Sequence, residues 1–267
     1  MTREKQQALL GAAKILAIYL LVPAVLLWVA MLLVGGSSSA DIPDYFFDIV
    51  SVAGYLLAIQ LLATLAKKKG MGFCKAINLH RGQLRRATLY RLFGAGLALG
   101  CAVSSLLALL PAAWTQGYEQ NAIAVFSDRG ILLGFAIVLL FSPLSEEIIF
   151  RGFVLRTLRT GFGSWVAILI TALTFAVLHL HPIWALYALL MGVLLGWLAV
   201  RLDDLTASVM VHFGFNCFSA IPITLGVLPP ENVAAVLLHS VPMLWFCLVA
   251  GAAVAALLLW YDTKNPA

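Results

Sequence analysis

FSPLSEEIIFRGFVLRTLR, residues 141–159, sets two adjacent carboxylates, Glu146 and Glu147, and an arginine, Arg151, inside a run that otherwise reads as membrane-spanning. An ionised side chain at the centre of a spanning helix costs about 2.5–3.5 kcal/mol on insertion scales. Three of them within six residues need a compensating arrangement. Part of it is local: Glu147 and Arg151 stand four apart, acid first, the favourable order for a helical ion pair. Glu146 lies ~100° round the helix from Glu147, so one arginine cannot serve both acids equally. The second acid makes the stretch a candidate polar site inside a helix bundle, because ionisable residues at membrane depth mark functional sites by default.

The rest of the chain supplies the bundle. Of 267 residues 63% are hydrophobic and 11% charged, against roughly 25% charged in soluble domains. Apolar runs recur from end to end, so the fold class is all-α, a polytopic membrane helix bundle. About eight transmembrane helices are predicted, at 9–34, 46–66, 92–113, 130–159 (interrupted near Pro143), 164–181, 183–200, 205–226 and 239–260. The sixth is marginal in length against the ~20 residues a crossing needs. No linker or soluble module interrupts them, which gives a single integral membrane domain over 1–267. The first run is too long for a signal-peptide core and is expected to stay as a helix.

Charge placement orients the bundle. Arg3, Lys5 and Lys14 begin the chain, and a basic connector from Lys67 to Arg91 follows the second span. Arg156, Arg159, Arg201 and Lys264 come after alternate later spans, while the opposite loops hold Asp41, Asp44, Asp48, Glu119, Asp128 and Glu231, with Arg129 the only base. The positive-inside rule then puts both termini in the cytoplasm. The net charge of +5 is thus a topology signal, and no nucleic-acid partner is implied. The connector also reads as a surface helix held by anionic lipid, though topology alone accounts for it. Cys74, Cys101, Cys217 and Cys247 form no CxxC and no Cys/His cluster, and three sit in apolar runs as buried thiols. Gly96/Gly100, Gly130/Gly134 and Gly192/Gly196 have the spacing of close helix packing.

Two further helices carry polar residues at one-turn spacing. TALTFAVLHLHP (171–182) sets Phe175 and His179 on one stripe, and ASVMVHFGFNCF (207–218) does the same for His212 and Asn216. A lone histidine in an apolar helix is usually a satisfied structural group. Two, with an amide and an acid pair, on three separate helices form a constellation. His181 precedes Pro182 and marks a turn, His239 reads as interfacial, and His80 belongs to the connector. Counting from a turn at Phe162, Glu146 lies sixteen residues before and His179 seventeen after, so regular helices would set both ~25 Å deep. The same count from Leu205 places Asn216 at ~16 Å and His212 at ~10 Å, a looser match.

These groups suit water-mediated hydrolysis. A desolvated carboxylate is a fit general base. Histidine can share the attacking water, ligate a metal or donate to an oxyanion, and asparagine can donate to a reacting carbonyl. Arg151 holds Glu147 ionised, which leaves Glu146 as the base. HExxH, GxSxG and GxGD are all missing, which weighs against the familiar zinc, serine and aspartyl designs. A proton-coupled transporter or channel would also use buried acids and histidines, but no inverted-repeat pairing of broken helices accompanies them. A non-catalytic immunity or scaffold protein would not need the full set.

Glu146-Glu147-x-x-x-Arg151, Phe175-x-x-x-His179 and His212-x-x-x-Asn216, in that order on successive helices, resemble the three-motif signature of the CAAX-processing and bacteriocin-processing (CPBP) intramembrane proteases. That family includes the Ras-converting endopeptidase and bacterial Abi proteins. The similarity covers about residues 90–226. It implies an intramembrane endopeptidase acting on a membrane-associated peptide or protein, prenylated or leader-type, with no residue here selecting among these. It further implies that Glu146 activates water with His179, that His212 and Asn216 steady the oxyanion, and that Glu147 and Arg151 shape the site. The metal requirement stays open: a glutamate scheme needs no cofactor, while two histidines and a carboxylate would suffice for zinc. Partners beyond substrate and lipid bilayer, and the oligomeric state, are not written in the sequence. Short loops point to a bacterial plasma membrane.

Overall fold

Apolar runs of this length pair their backbone groups internally only as helices, and in the computed structural model no strand occurs among the described residues, which are 1–34, 44–80, 82–111, 114, 133–134, 136–226 and 240–264. Four helices precede the acid pair: α1 (Arg3–Val34), α2 (Asp44–Lys68), the short α3 (Phe73–Ala76) and α4 (Arg86–Leu109). The site-bearing stretch is one winding path of changing pitch: π1 (Ala136–Phe141), α5 (Ser142–Glu147), π2 (Ile148–Leu155) and α6 (Arg156–Leu158). Then come α7 (Ser164–Val177), α8 (Pro182–Arg201), α9 (Leu205–Gly226) and α10 (Val241–Lys264). Asp41, Glu119, Asp128, Arg129, Gly130, Glu231 and His239, to which outer-side, packing or interfacial places are assigned above, lie outside the described residues, as do the start of the eighth predicted span and part of the third and fourth.

Five helices among the described residues, α1, α2, α4, α8 and α10, are long and apolar enough to cross a membrane. Leu21, Val25 and Trp28 on α1 and Phe246 and Val249 on α10 turn large apolar side chains outward, as lipid-facing surfaces do. The chain is an integral membrane protein. The sixth predicted span, marginal by its sequence, is a full 20-residue helix. The fifth is shorter than expected, ending at Val177 after 14 residues, or ~21 Å. Pro182 explains the break, because the residue before a proline is pushed out of the helical region. His181 is accordingly extended (φ −105, ψ 130), and Leu180 turns to φ 55.

Small residues let backbones touch where the packing needs it. A Cβ on Gly96 of α4 would run into the Val211 carbonyl of α9, and one on Gly214 of α9 would run into the Phe93 carbonyl of α4. Gly192 on α8 meets Ala172 on α7 in the same way. Two cores result. One gathers π2 with α1, α2, α3 and α7, around Ile149, Phe150, Ile77 and Ile168. The other joins α4, α8, α9 and α10, around Leu92, Leu195, Val211 and Leu259.

The basic segments share one face. Gly161 packs on Glu4 and Ala8, and Lys5 Nζ lies 5.7 Å from the Phe162 ring centroid. Arg156 donates to the carbonyls of Lys75 and Ala76. The Leu205 N–H donates to the Asn78 carbonyl at 2.9 Å, and Asn78 Nδ2 to Asp203 Oδ1 at 3.1 Å. Arg91 pairs with Asp262 at 2.6 Å, and Arg201 donates to the Thr263 carbonyl at 2.7 Å. The start of α1, the connector, the turns after α6 and α8, and the end of α10 are therefore neighbours.

Candidate active site

The acid pair sits at the end of α5, between two π-helical segments. Pro143 lacks an N–H, and in an i→i+5 register that missing donor is the one the Val138 carbonyl would use. Asn216 fills the gap: its Nδ2 donates to that carbonyl at 2.9 Å. All eight residues of π2 are buried, and Gly152 admits Ile77 against the helix backbone. Local winding changes of this kind recur at functional sites.

The two carboxylates part company. Glu147 is fully buried, and its Oε1 accepts from Arg151 Nη1 at 2.6 Å. Arg151, equally enclosed, also donates through Nη2 to the Gly192 carbonyl at 3.3 Å and lies over the Phe175 ring, 4.8 Å from its centroid. Glu146 instead takes a hydrogen bond from Ser142 Oγ at 2.6 Å. Its side chain keeps 20% exposure and lines a cavity of ≈ 130 Å³ with Tyr19, Asp48, Tyr55 and Ser142. The pairing expected from spacing is the one observed, and the second acid faces open space.

His212 bridges the pair. Its Nδ1 lies 2.9 Å from Glu147 Oε1 and its Nε2 3.8 Å from Glu146 Oε2. An ionised carboxylate only accepts, so Nδ1 carries a hydrogen, and Nε2 faces Glu146. Phe175 is the hub around which the ions and imidazoles pack: its centroid is 4.7 Å from that of His179 and 6.3 Å from that of His212. His179, just past the end of α7, directs Nδ1 to the Phe175 carbonyl at 2.9 Å.

The depth count assumed regular helices, and the helices are not regular. It set His179 level with Glu146 and left His212 higher, yet among the described residues no hydrogen bond or ion pair joins His179 to Glu146, while His212 touches both acids. Two π segments and the early stop of α7 change the rise per residue, so counting from turns loses the register.

Sequence spacing missed Tyr19, Tyr55, Ser142 and the Gly192 carbonyl. Ser142 alone had a local signal, four residues before Glu146. The tyrosines come from α1 and α2, far along the chain, with nothing in their spacing to announce them.

Both imidazoles have Nδ1 engaged, His212 on Glu147 and His179 on the Phe175 carbonyl, which leaves Nε2 as the ring atom a metal would take. Their positions do not follow: among the described residues no three His, Cys, Asp or Glu side chains stand close enough to share an ion, and zinc sites take at least three protein ligands.

Residues 128–218 match the family model of the Rce1-like proteins, type II CAAX prenyl endopeptidases. The CPBP resemblance is thereby shown. No curated protein and no solved structure matches the chain. The Rce1-like segment reaches from before π1 into α9, so it contains all seven motif residues and the three structural pieces that carry them. It points to a protease.

Proposed function

We propose that the chain is a CAAX-type intramembrane endopeptidase that cleaves a prenylated or leader-type peptide with a water activated by Glu146. The observation that carries this reading is the His212 ring, with Nδ1 on Glu147 and Nε2 3.8 Å from Glu146. A water held between Nε2 and Glu146 Oε2 would give one hydrogen to each acceptor and turn a lone pair toward a scissile carbonyl. Glu146 takes the water's proton as the C–O bond forms, then delivers it to the departing amine as the C–N bond breaks. Glu147 and Arg151 hold His212 in the required tautomer. Asn216 has a second amide hydrogen for the carbonyl oxygen, and His179 borders the space the peptide would enter. This gives His212 the water and moves His179 to the substrate side, the reverse of the depth count. The scheme needs no metal.

The proposal extends to placement. Eight crossings, both termini in the cytoplasm and a bacterial plasma membrane suit the charge alternation and the gathering of the basic segments on one face. The whole of 1–267 acts as one membrane domain, with the catalytic core at about 90–226.

Purified protein in detergent, offered prenylated, leader-type and generic hydrophobic peptides, tests the reading by mass spectrometry of the products. Cleavage of one class, lost by at least about 10²-fold in a folded Glu146→Gln variant, is expected. No cleaved bond in any class, or cleavage by the variant at the unaltered rate, refutes it.

A further inference from the structure

Away from the acids, a cavity of ≈ 410 Å³ opens between α1, α2 and the π2–α6 stretch. Its size falls within the roughly 300–1,000 Å³ usual for small-molecule sites. Met71 and Ala76 of the connector close one side, and three segments line the rest, each with residues at i, i+3, i+4 and i+7, so each turns one face to the space. On α1 the four run from Gly11 to Ile18, on α2 and the residue after it from Leu62 to Lys69, and on π2–α6 and the turn after it from Phe153 to Thr160.

The three faces share a gradient. Ile18, Leu62 and Phe153 lie at the ends that point into the bundle, while Lys14, Lys69 and Arg156 lie nearer the basic face. No acidic side chain is among the lining residues. Arg156 is held in place by the Lys75 and Ala76 carbonyls, so its guanidinium is fixed before any ligand arrives. A cationic mouth over an apolar shaft, at a membrane surface, is complementary to one negative headgroup carrying a hydrocarbon chain.

We propose that this cavity binds a single anionic membrane lipid, with its phosphate among Lys14, Lys69 and Arg156 and a chain passing Ile18, Leu62 and Phe153. The lipid would fasten α1 and α2 to the helix that carries Glu146 and Glu147, six to ten residues upstream of Phe153 and Arg156 along the chain. The site owes nothing to the proteolytic reading and stands if that reading fails.

The probe is dodecyl phosphate, titrated into the full-length protein in dodecyl maltoside and followed by native mass spectrometry and by the thermal midpoint. Inorganic phosphate supplies the headgroup alone, and the maltoside supplies the chain alone. Saturable 1:1 binding of dodecyl phosphate is expected, with inorganic phosphate far weaker. At about 1 kcal/mol per basic residue near a membrane surface, Lys14→Gln with Lys69→Gln should weaken binding roughly 30-fold. Leu65→Trp, which fills the shaft and leaves every charge in place, should also abolish it, and circular dichroism checks that both variants fold. Equal binding by the double variant, equal binding by Leu65→Trp, or inorganic phosphate binding as well as the amphiphile each overturns the proposal.

Discussion

Replacing Glu147 by glutamine removes one charge and almost no volume from a fully enclosed site, which makes it a sharp test of how the centre is held. In the folded chain Glu147 and Arg151 have no side-chain exposure, and Glu147 Oε1 takes both the 2.6 Å bond from Arg151 and the 2.9 Å bond from His212. Glu147→Gln leaves the guanidinium with the Gly192 carbonyl, the face of Phe175 and, without a direct ion pair, the charge of Glu146, none of which replaces the 2.6 Å contact. Breaking a buried pair from one side costs about 3–5 kcal/mol. Arg151→Met should cost a similar amount for the mirror reason. The double variant removes both charges and fills the space, so it should recover most of the loss, with a coupling of at least about 2 kcal/mol. Reversible unfolding in mixed micelles of sodium dodecyl sulfate and dodecyl maltoside measures all four proteins on one scale. Both variants that lack Glu147 should be inactive, because His212 loses the charged acceptor that fixes its tautomer. Single variants within about 0.5 kcal/mol of the parent, the range of an ordinary surface change, or singles that simply add in the double, would refute the view that Glu147 and Arg151 form one buried unit.

Other perturbations separate roles within the site. Asn216→Ala should lower turnover about 10²–10³-fold with KM nearly unchanged; a loss of stability with turnover intact would confine Asn216 to closing the gap that Pro143 leaves in π1. Active protein should carry no stoichiometric zinc by elemental analysis, and chelation should leave hydrolysis undiminished; zinc that disappears in His179→Ala would establish ligation instead. For topology, single cysteines at Lys68 and Lys264 should react only from the cytoplasmic side and cysteines at Ser38 and Gln120 only from outside; labelling of Lys68→Cys from outside would invert the bundle.

The all-helical membrane fold was legible because hydropathy is a local property, as was the Glu147–Arg151 pair, whose four-residue spacing any helix converts into contact. The gathering of the basic segments was legible too, since their charges recur along the chain after alternate apolar runs. The match over residues 128–218 agrees with the resemblance read from three short motifs in order. What spacing could not supply was depth. Pro143 removes a donor, π1 and π2 alter the pitch, and Pro182 stops α7 early, and each shifts the height of everything beyond it. Those shifts accumulate along the chain, so only the packed bundle decides that His212 meets both acids while His179 leans on Phe175. Tyr19 and Tyr55 mark the same boundary. They reach the Glu146 cavity because α1 and α2 pack against π2 through the apolar core around Ile149 and Phe150, and a contact made by packing between distant segments leaves no trace in the spacing of either one.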